Sequence, residues 1–134
     1  MKTFKPNNEE EWHEYRRQHL TSTELRDLHL GKTARKWQEL REQKETGKRW
    51  GGNDYTVWGT AREPVLAPLV VEVDSRLVYN ADPQTIIINP DDERLCGTPD
   101  LYSEDGEVIG EIKTAKHPFT GGYWHDWCPD GYYL

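Results

Sequence analysis

Two carboxylates and an ammonium group fall in one short stretch, GTPDLYSEDGEVIGEIK over residues 97–113: Asp100 behind Pro99, then Glu111 and Lys113 two residues apart. Groups of these types can do a particular kind of chemistry. Hard divalent cations take oxygen ligands and leave positions open for water and phosphate. A lysine beside such a cation can orient an attacking water, or neutralise charge as a phosphoryl oxygen becomes negative. The set is therefore what metal-assisted hydrolysis of a phosphodiester requires. Surface hairpins also carry Asp, Glu and Lys as ordinary solvent-facing alternation, so these three residues need support from their surroundings.

The elements that would position them follow from periodicity. Residues 95–102 and 108–113 have strand character and are joined by SEDGE. An Asp-Gly pair between two such runs is a strong hairpin signal. On the second strand Glu111 and Lys113 would share a face and Ile112 would point into a core. Residues 76–80 and 85–89 are two further strand candidates. The first half reads as helices. Asn7 or Asn8 caps the first, with Glu9, Glu10 and Glu11 in its opening turn and Trp12, Tyr15 and His19 at helical spacing. Thr21 or Ser22 caps the second, Glu24 completes a capping box, Leu25 and Leu28 face inward, and Gly31 is the stop. A third helix puts Ala34, Trp37 and Leu40 on its inner face and ends at Gly47. Residues 55–73 are ambiguous. Val57, Trp58, Ala61, Val65, Leu66 and Leu69 fit a helix, whereas Pro64 and Pro68 oppose one and Val70, Val71 and Val73 lean towards a strand. The expected class is α/β in the α+β sense, with N-terminal helices packed on a mixed central sheet of about four strands that includes the hairpin.

Composition sets limits on this reading. The chain of 134 residues is the size of a single domain. Its mean hydropathy is −0.97, yet 6 Trp, 7 Tyr and 2 Phe supply large side chains for a core, which argues against disorder. No apolar run approaches the ~20 residues of a membrane span, and MKTFKPNNEEEW has no signal-like run. Two cysteines, Cys96 and Cys128, cannot make a disulfide framework or a four-thiolate metal site. A cytoplasmic setting is the expectation. His117 and His125 lack a third partner at ligand spacing. Residues 1–49 carry a balance of +3 and residues 50–134 a balance of −10, within a net charge of −7. Such acidity excludes a duplex binder that works by bulk electrostatics, but not an enzyme whose acids hold metal ions.

Pro99-Asp100 followed by Glu111-x-Lys113 resembles the PD-(D/E)xK nuclease superfamily. Gly-Thr-Pro-Asp-Leu-Tyr with Gly-Glu-Ile-Lys-Thr is similar, more narrowly, to the YqaJ-type viral recombinases, the family of the lambda-type exonucleases. Two upstream elements agree. Ser22 and Thr23, in LTSTELRDLHLG, resemble the family's early Ser-containing helix start, which meets a DNA phosphate. Glu63, in WGTAREP, matches its Gly-x-x-x-Glu motif. The resemblance covers residues 20–117 and implies a restriction-endonuclease-like core that degrades double-stranded DNA ends 5′-to-3′. It implies Mg²⁺ as cofactor, with Mn²⁺ able to substitute. The single strands produced would pass to an annealing protein, and the lambda-type members are trimeric homo-oligomers. A phage or prophage gene acting in a bacterial host is the implied source.

By position, Asp100, Glu111 and the Ile112 carbonyl would bind the metal, Glu63 would assist, and Lys113 would activate water. Arg35 and Arg62 are candidate DNA contacts together with Ser22 and Thr23. Residues 1–50 would then face DNA, 51–117 would form the metal-site core, and 118–134 an aromatic tail. The family continues into a Gln-bearing helix about where this chain stops, so truncation at the C-terminus is expected. Each candidate has a plainer use. Ser22 could simply cap, Glu63 could be a surface carboxylate, Arg35 could form an i,i+4 pair, and Trp50 and Trp58 would more ordinarily pack in the core. An alternative function is a nuclease-fold protein, weak or inactive, that binds DNA ends or mimics DNA to occupy a partner. The iron–sulfur branch of the superfamily needs more thiolates than this chain has.

Overall fold

The structure, a computed structural model of the chain, describes residues 1–31, 33–48, 51–52 and 54–114. Its elements run β1 (Lys2–Phe4), α1 (Glu9–Gln18), β2 (Leu20–Thr21), α2 (Ser22–Gly31), α3 (Ala34–Thr46), α4 (Asp54–Val73), β3 (Leu77–Tyr79), β4 (Ile86–Ile88), β5 (Leu95–Gly97), β6 (Leu101–Ser103) and β7 (Ile109–Gly110). The α+β class is as expected, with the helices lying before β3, but strands β1 and β2 interrupt the helical half. No helix among the described residues is long and apolar enough to cross a membrane.

The helix ends follow local chemistry. Asn8 caps α1 by accepting the Glu11 N–H at 2.9 Å. Thr21 caps α2: its hydroxyl accepts the Glu24 N–H at 3.3 Å, while the Glu24 carboxylate accepts the Thr21 N–H at 2.8 Å. Gly47 ends α3 in the left-handed region at φ 69°. Lys44 joins the three helices, since its ammonium donates to the Arg16 and His19 carbonyls and pairs with Glu24 at 2.8 Å.

The sheet arrangement departs from expectation. A mixed four-stranded sheet has the order β1-β4-β5-β2, with β2 and β5 parallel, and an antiparallel three-stranded sheet has the order β3-β6-β7. Residues 95–102, expected as one strand, are two strands in different sheets. Pro99 cannot donate to a ladder, and the chain crosses from one sheet to the other at residues 98–100. The short strands β1 and β2 carry no sequence signal of their own and exist through pairing.

Residues 54–73 form one helix, which corrects the strand leaning of Val70–Val73. Both prolines lie on its exposed side. Tertiary packing overrides local propensity here: Ala67, Leu77 and Leu101 form a buried cluster against which Val70, Val71, Tyr79, Val108 and Ile112 pack. The face that looked inward from spacing, with Val57, Trp58, Val65 and Leu69, is exposed instead. Trp37, expected inside, is also exposed, and so is Ala34.

Candidate active site

The Gly97–Asp100 crossover is held from several elements. Gly97 ends β5 beside α2: a Cβ there would lie 3.4 Å from the Ser22 hydroxyl. Thr98 accepts a 2.6 Å hydrogen bond from Arg16 of α1. The Pro99 carbonyl accepts from the Asn80 side chain at 3.0 Å, and the Asp100 carbonyl from the Asn80 N–H at 2.9 Å. The Asp100 carboxylate accepts the Ile112 N–H at 2.6 Å.

The hairpin supplies the other candidates. Asp105-Gly106 makes its turn, with Gly106 at φ 79° and the Ser103 N–H donating to the Val108 carbonyl at 2.8 Å. Leu101 pairs with Gly110, where a Cβ would meet Leu101 at 3.2 Å, so glycine allows the two strands to close. The strand ends at Gly110, three residues earlier than alternation through residue 113 requires. Glu111 and Lys113 nevertheless share a side, their charges 2.6 Å apart, and Ile112 packs inward as expected. The next residue, Thr114, lies against Gly59 of α4, one turn before Glu63.

Glu63 completes the group. Burial pushes its carboxyl above the usual range, and the negative charges of Asp100, Asp82 and Glu111 push it further, while a hydrogen bond with Tyr79 opposes them. The Tyr79 phenol is itself pushed up to about 12, by burial first and then by Glu63. Glu63 of α4 thus feels the negative charge of Asp100 in the crossover and of Glu111 after β7. All the donors are oxygen, the chemistry a hard divalent cation takes, and a cation would relieve that repulsion. Each acid already has a partner within the chain: Glu111 has Lys113, Asp100 has Ile112 N–H and Glu63 has Tyr79. No three acidic, His or Cys groups among the described residues stand in a metal-holding arrangement.

The other candidates divide. Because Thr21 caps α2, Ser22 is not needed as the cap, and its exposed hydroxyl sits beside Gly97 at the helix N-terminus, a position that favours anions. Thr23 is exposed on the same turn. Arg62, next to Glu63, stacks on Trp58 at 4.1 Å, and Trp58 is exposed rather than packed in the core. Arg35 is committed to a surface i,i+4 pair with Glu39 at 2.8 Å. Cys96 is buried in β5. Trp50, His117, His125, Cys128 and the aromatic stretch 118–134 lie outside the described residues.

Spacing gave no sign of Arg16 or Asn80. Arg16 is half-buried and stacks on Trp12 at 4.1 Å, and burial pulls its pKa down. With Arg17, Lys44, Lys48 and three glutamates it lines a cleft of about 590 Å³ that runs along α1 and α3 and reaches Thr56 of α4. Asn80 sits at the end of β3 and is 3% exposed. Neither the Tyr-Arg-Arg run around Arg16 nor the Val-Tyr-Asn run ending at Asn80 carries a motif by which these roles could have been read.

Comparison with known proteins gives one finding. The family model described as the YqaJ-like viral recombinase domain matches residues 11–134. No curated protein and no solved structure matches significantly. The match spans most of the chain, and the chain belongs to this family.

Proposed function

We propose that this member of the YqaJ-like viral recombinase family is a metal-dependent nuclease that hydrolyses DNA phosphodiester bonds. It would degrade double-stranded ends 5′-to-3′ in the bacterial cytoplasm and pass single strands to an annealing partner. The observation that carries this reading is that the Asp100 carboxylate lies on the Ile112 N–H, between Glu111 and its partner Lys113, while Glu63 of α4 is close enough to feel the charges of Asp100 and Glu111.

Asp100, Glu111 and the Ile112 carbonyl would hold Mg²⁺ or Mn²⁺, with Glu63 assisting. A bound divalent ion would supply charge neutralisation at the scissile phosphoryl group and activation of water. The chain's own residues do the rest. Asp100 is oriented by the Ile112 N–H. Lys113 stands beside Glu111, where its Nζ can orient the attacking water and offset charge developing on the phosphoryl oxygens. The Ser22 hydroxyl at the α2 N-terminus would meet a DNA phosphate, with Thr23 and Arg62 further along the path.

Nucleotide release from linear duplex DNA with Mg²⁺ tests this. Lys113→Ala and Asp100→Ala should each lower the rate by roughly 10²–10⁴-fold, the range for a positioned proton-transfer or charge-stabilising group. Equal degradation by wild type and variants would remove these residues from catalysis. Tight binding of DNA ends without cleavage by the wild type would identify the fold as an end-binding module instead.

A further inference from the structure

Asn80 follows β3, is 3% exposed, and uses its whole amide. Its Nδ2 donates to the Thr85 carbonyl at 2.9 Å and to the Pro99 carbonyl at 3.0 Å. Its Oδ1 accepts the Thr85 N–H at 2.7 Å, and its own N–H donates to the Asp100 carbonyl at 2.9 Å. All of these bonds go to one of two places: Thr85, or the consecutive carbonyls of Pro99 and Asp100. We infer that Asn80 is a positioning residue for the carboxylates, holding the carbonyls of Pro99 and Asp100 on either side of the Asp100 Cα and so setting where the Asp100 carboxylate stands relative to Glu63 and Glu111. The inference rests on the nuclease reading above. Few other side chains can do this. Two donors and an acceptor are needed at one buried point, an aspartate would turn an acceptor towards two carbonyls, and a serine is too short to reach both. The preceding residue, Tyr79, bonds to the Glu63 carboxylate, so consecutive positions at the end of β3 reach Glu63 through its side chain and Asp100 through its backbone.

The reporter is the Ile112 amide, whose partner is the Asp100 carboxylate. Hydrogen exchange is followed in the full chain for wild type, Asn80→Asp and Asn80→Ala, with the β1–β4 amides as reference, and Mn²⁺ binding is titrated in parallel. In the variants the Ile112 amide should exchange about tenfold faster relative to the reference, as expected when a local anchor is lost without global unfolding. The Mn²⁺ midpoint should rise by a similar factor, which a purely structural role would not produce once unfolding remains cooperative. Wild type in increasing urea gives a second measurement that needs no variant: Thr85 and Ile112 amides should open together. An unchanged Ile112 rate in both variants overturns the inference, as does Ile112 opening ahead of Thr85 in the wild type. If the wild-type chain takes up no Mn²⁺, the metal reading fails, and the Ile112 exchange still decides the role of Asn80.

Discussion

Burial and repulsion both oppose the ionised form of Glu63, and that has a sign. Its folded pKa lies above the ordinary value of 4.5, so folding favours the protonated carboxyl. The stability this gives is fully present below the ordinary value and is lost as pH rises through the raised one. Glu63→Gln, which cannot ionise, should therefore raise the melting midpoint at pH 7 and leave it unchanged at pH 4. The group is partly solvated, so the rise should be no more than about 4 °C, the shift that about 1 kcal/mol produces in a domain of this size. Thermal melts of both proteins at the two pH values check it. An equal shift at both would point to packing rather than charge. The opposite sign holds at Asp74 and Asp92, where a neighbouring arginine pulls each carboxyl down to about 2, so those pairs persist until strong acid.

At the scale of elements, α2 and the hairpin each depend on one identifiable group. Thr21, 2% exposed, closes the α2 capping box and pairs through β2 with Cys96, next to Gly97. Thr21→Ala should cost about 1 kcal/mol, the usual loss for a cap, read as a shift in urea midpoint at constant slope. Leu101 is fully buried between α4 and the three-stranded sheet and follows Asp100 directly. Leu101→Ala should cost about 2–5 kcal/mol by opening a cavity. Because that cavity lies beneath the crossover, the same variant should lose nuclease rate at temperatures where it remains folded. A variant as destabilised as this with an undiminished rate would uncouple the core from the site.

For the whole molecule the expected coupling is between cation and fold. An ion that binds only the folded chain stabilises it by about 2.7 kcal/mol at a concentration of 100 times Kd. Mg²⁺ or Mn²⁺ should raise the melting midpoint, EDTA should reverse the rise, and Asp100→Asn should abolish it. Calorimetric scans with and without the ion check this. A midpoint that rises equally in Asp100→Asn would indicate general screening of the −7 net charge rather than a site.

Local chemistry made part of this protein legible from its residues. The caps at Asn8, Thr21 and Gly47, the Asp105-Gly106 turn and the pairing of Glu111 with Lys113 each depend on neighbours a few residues away. The acid-acid-lysine set, and the family it resembles, followed from those short spacings. What sequence periodicity misjudged was long-range. The buried face of α4, the split of residues 95–102 between two sheets and the exposure of Trp58 were decided by which surfaces found partners. Only the tertiary structure could bring Arg16 to Thr98, Asn80 to Pro99 and Glu63 within reach of the Asp100 charge. The reason is physical: a turn or a cap is fixed by bonds within its own few residues, whereas these contacts close long loops and exist only once the core around Ala67, Leu77 and Leu101 has formed.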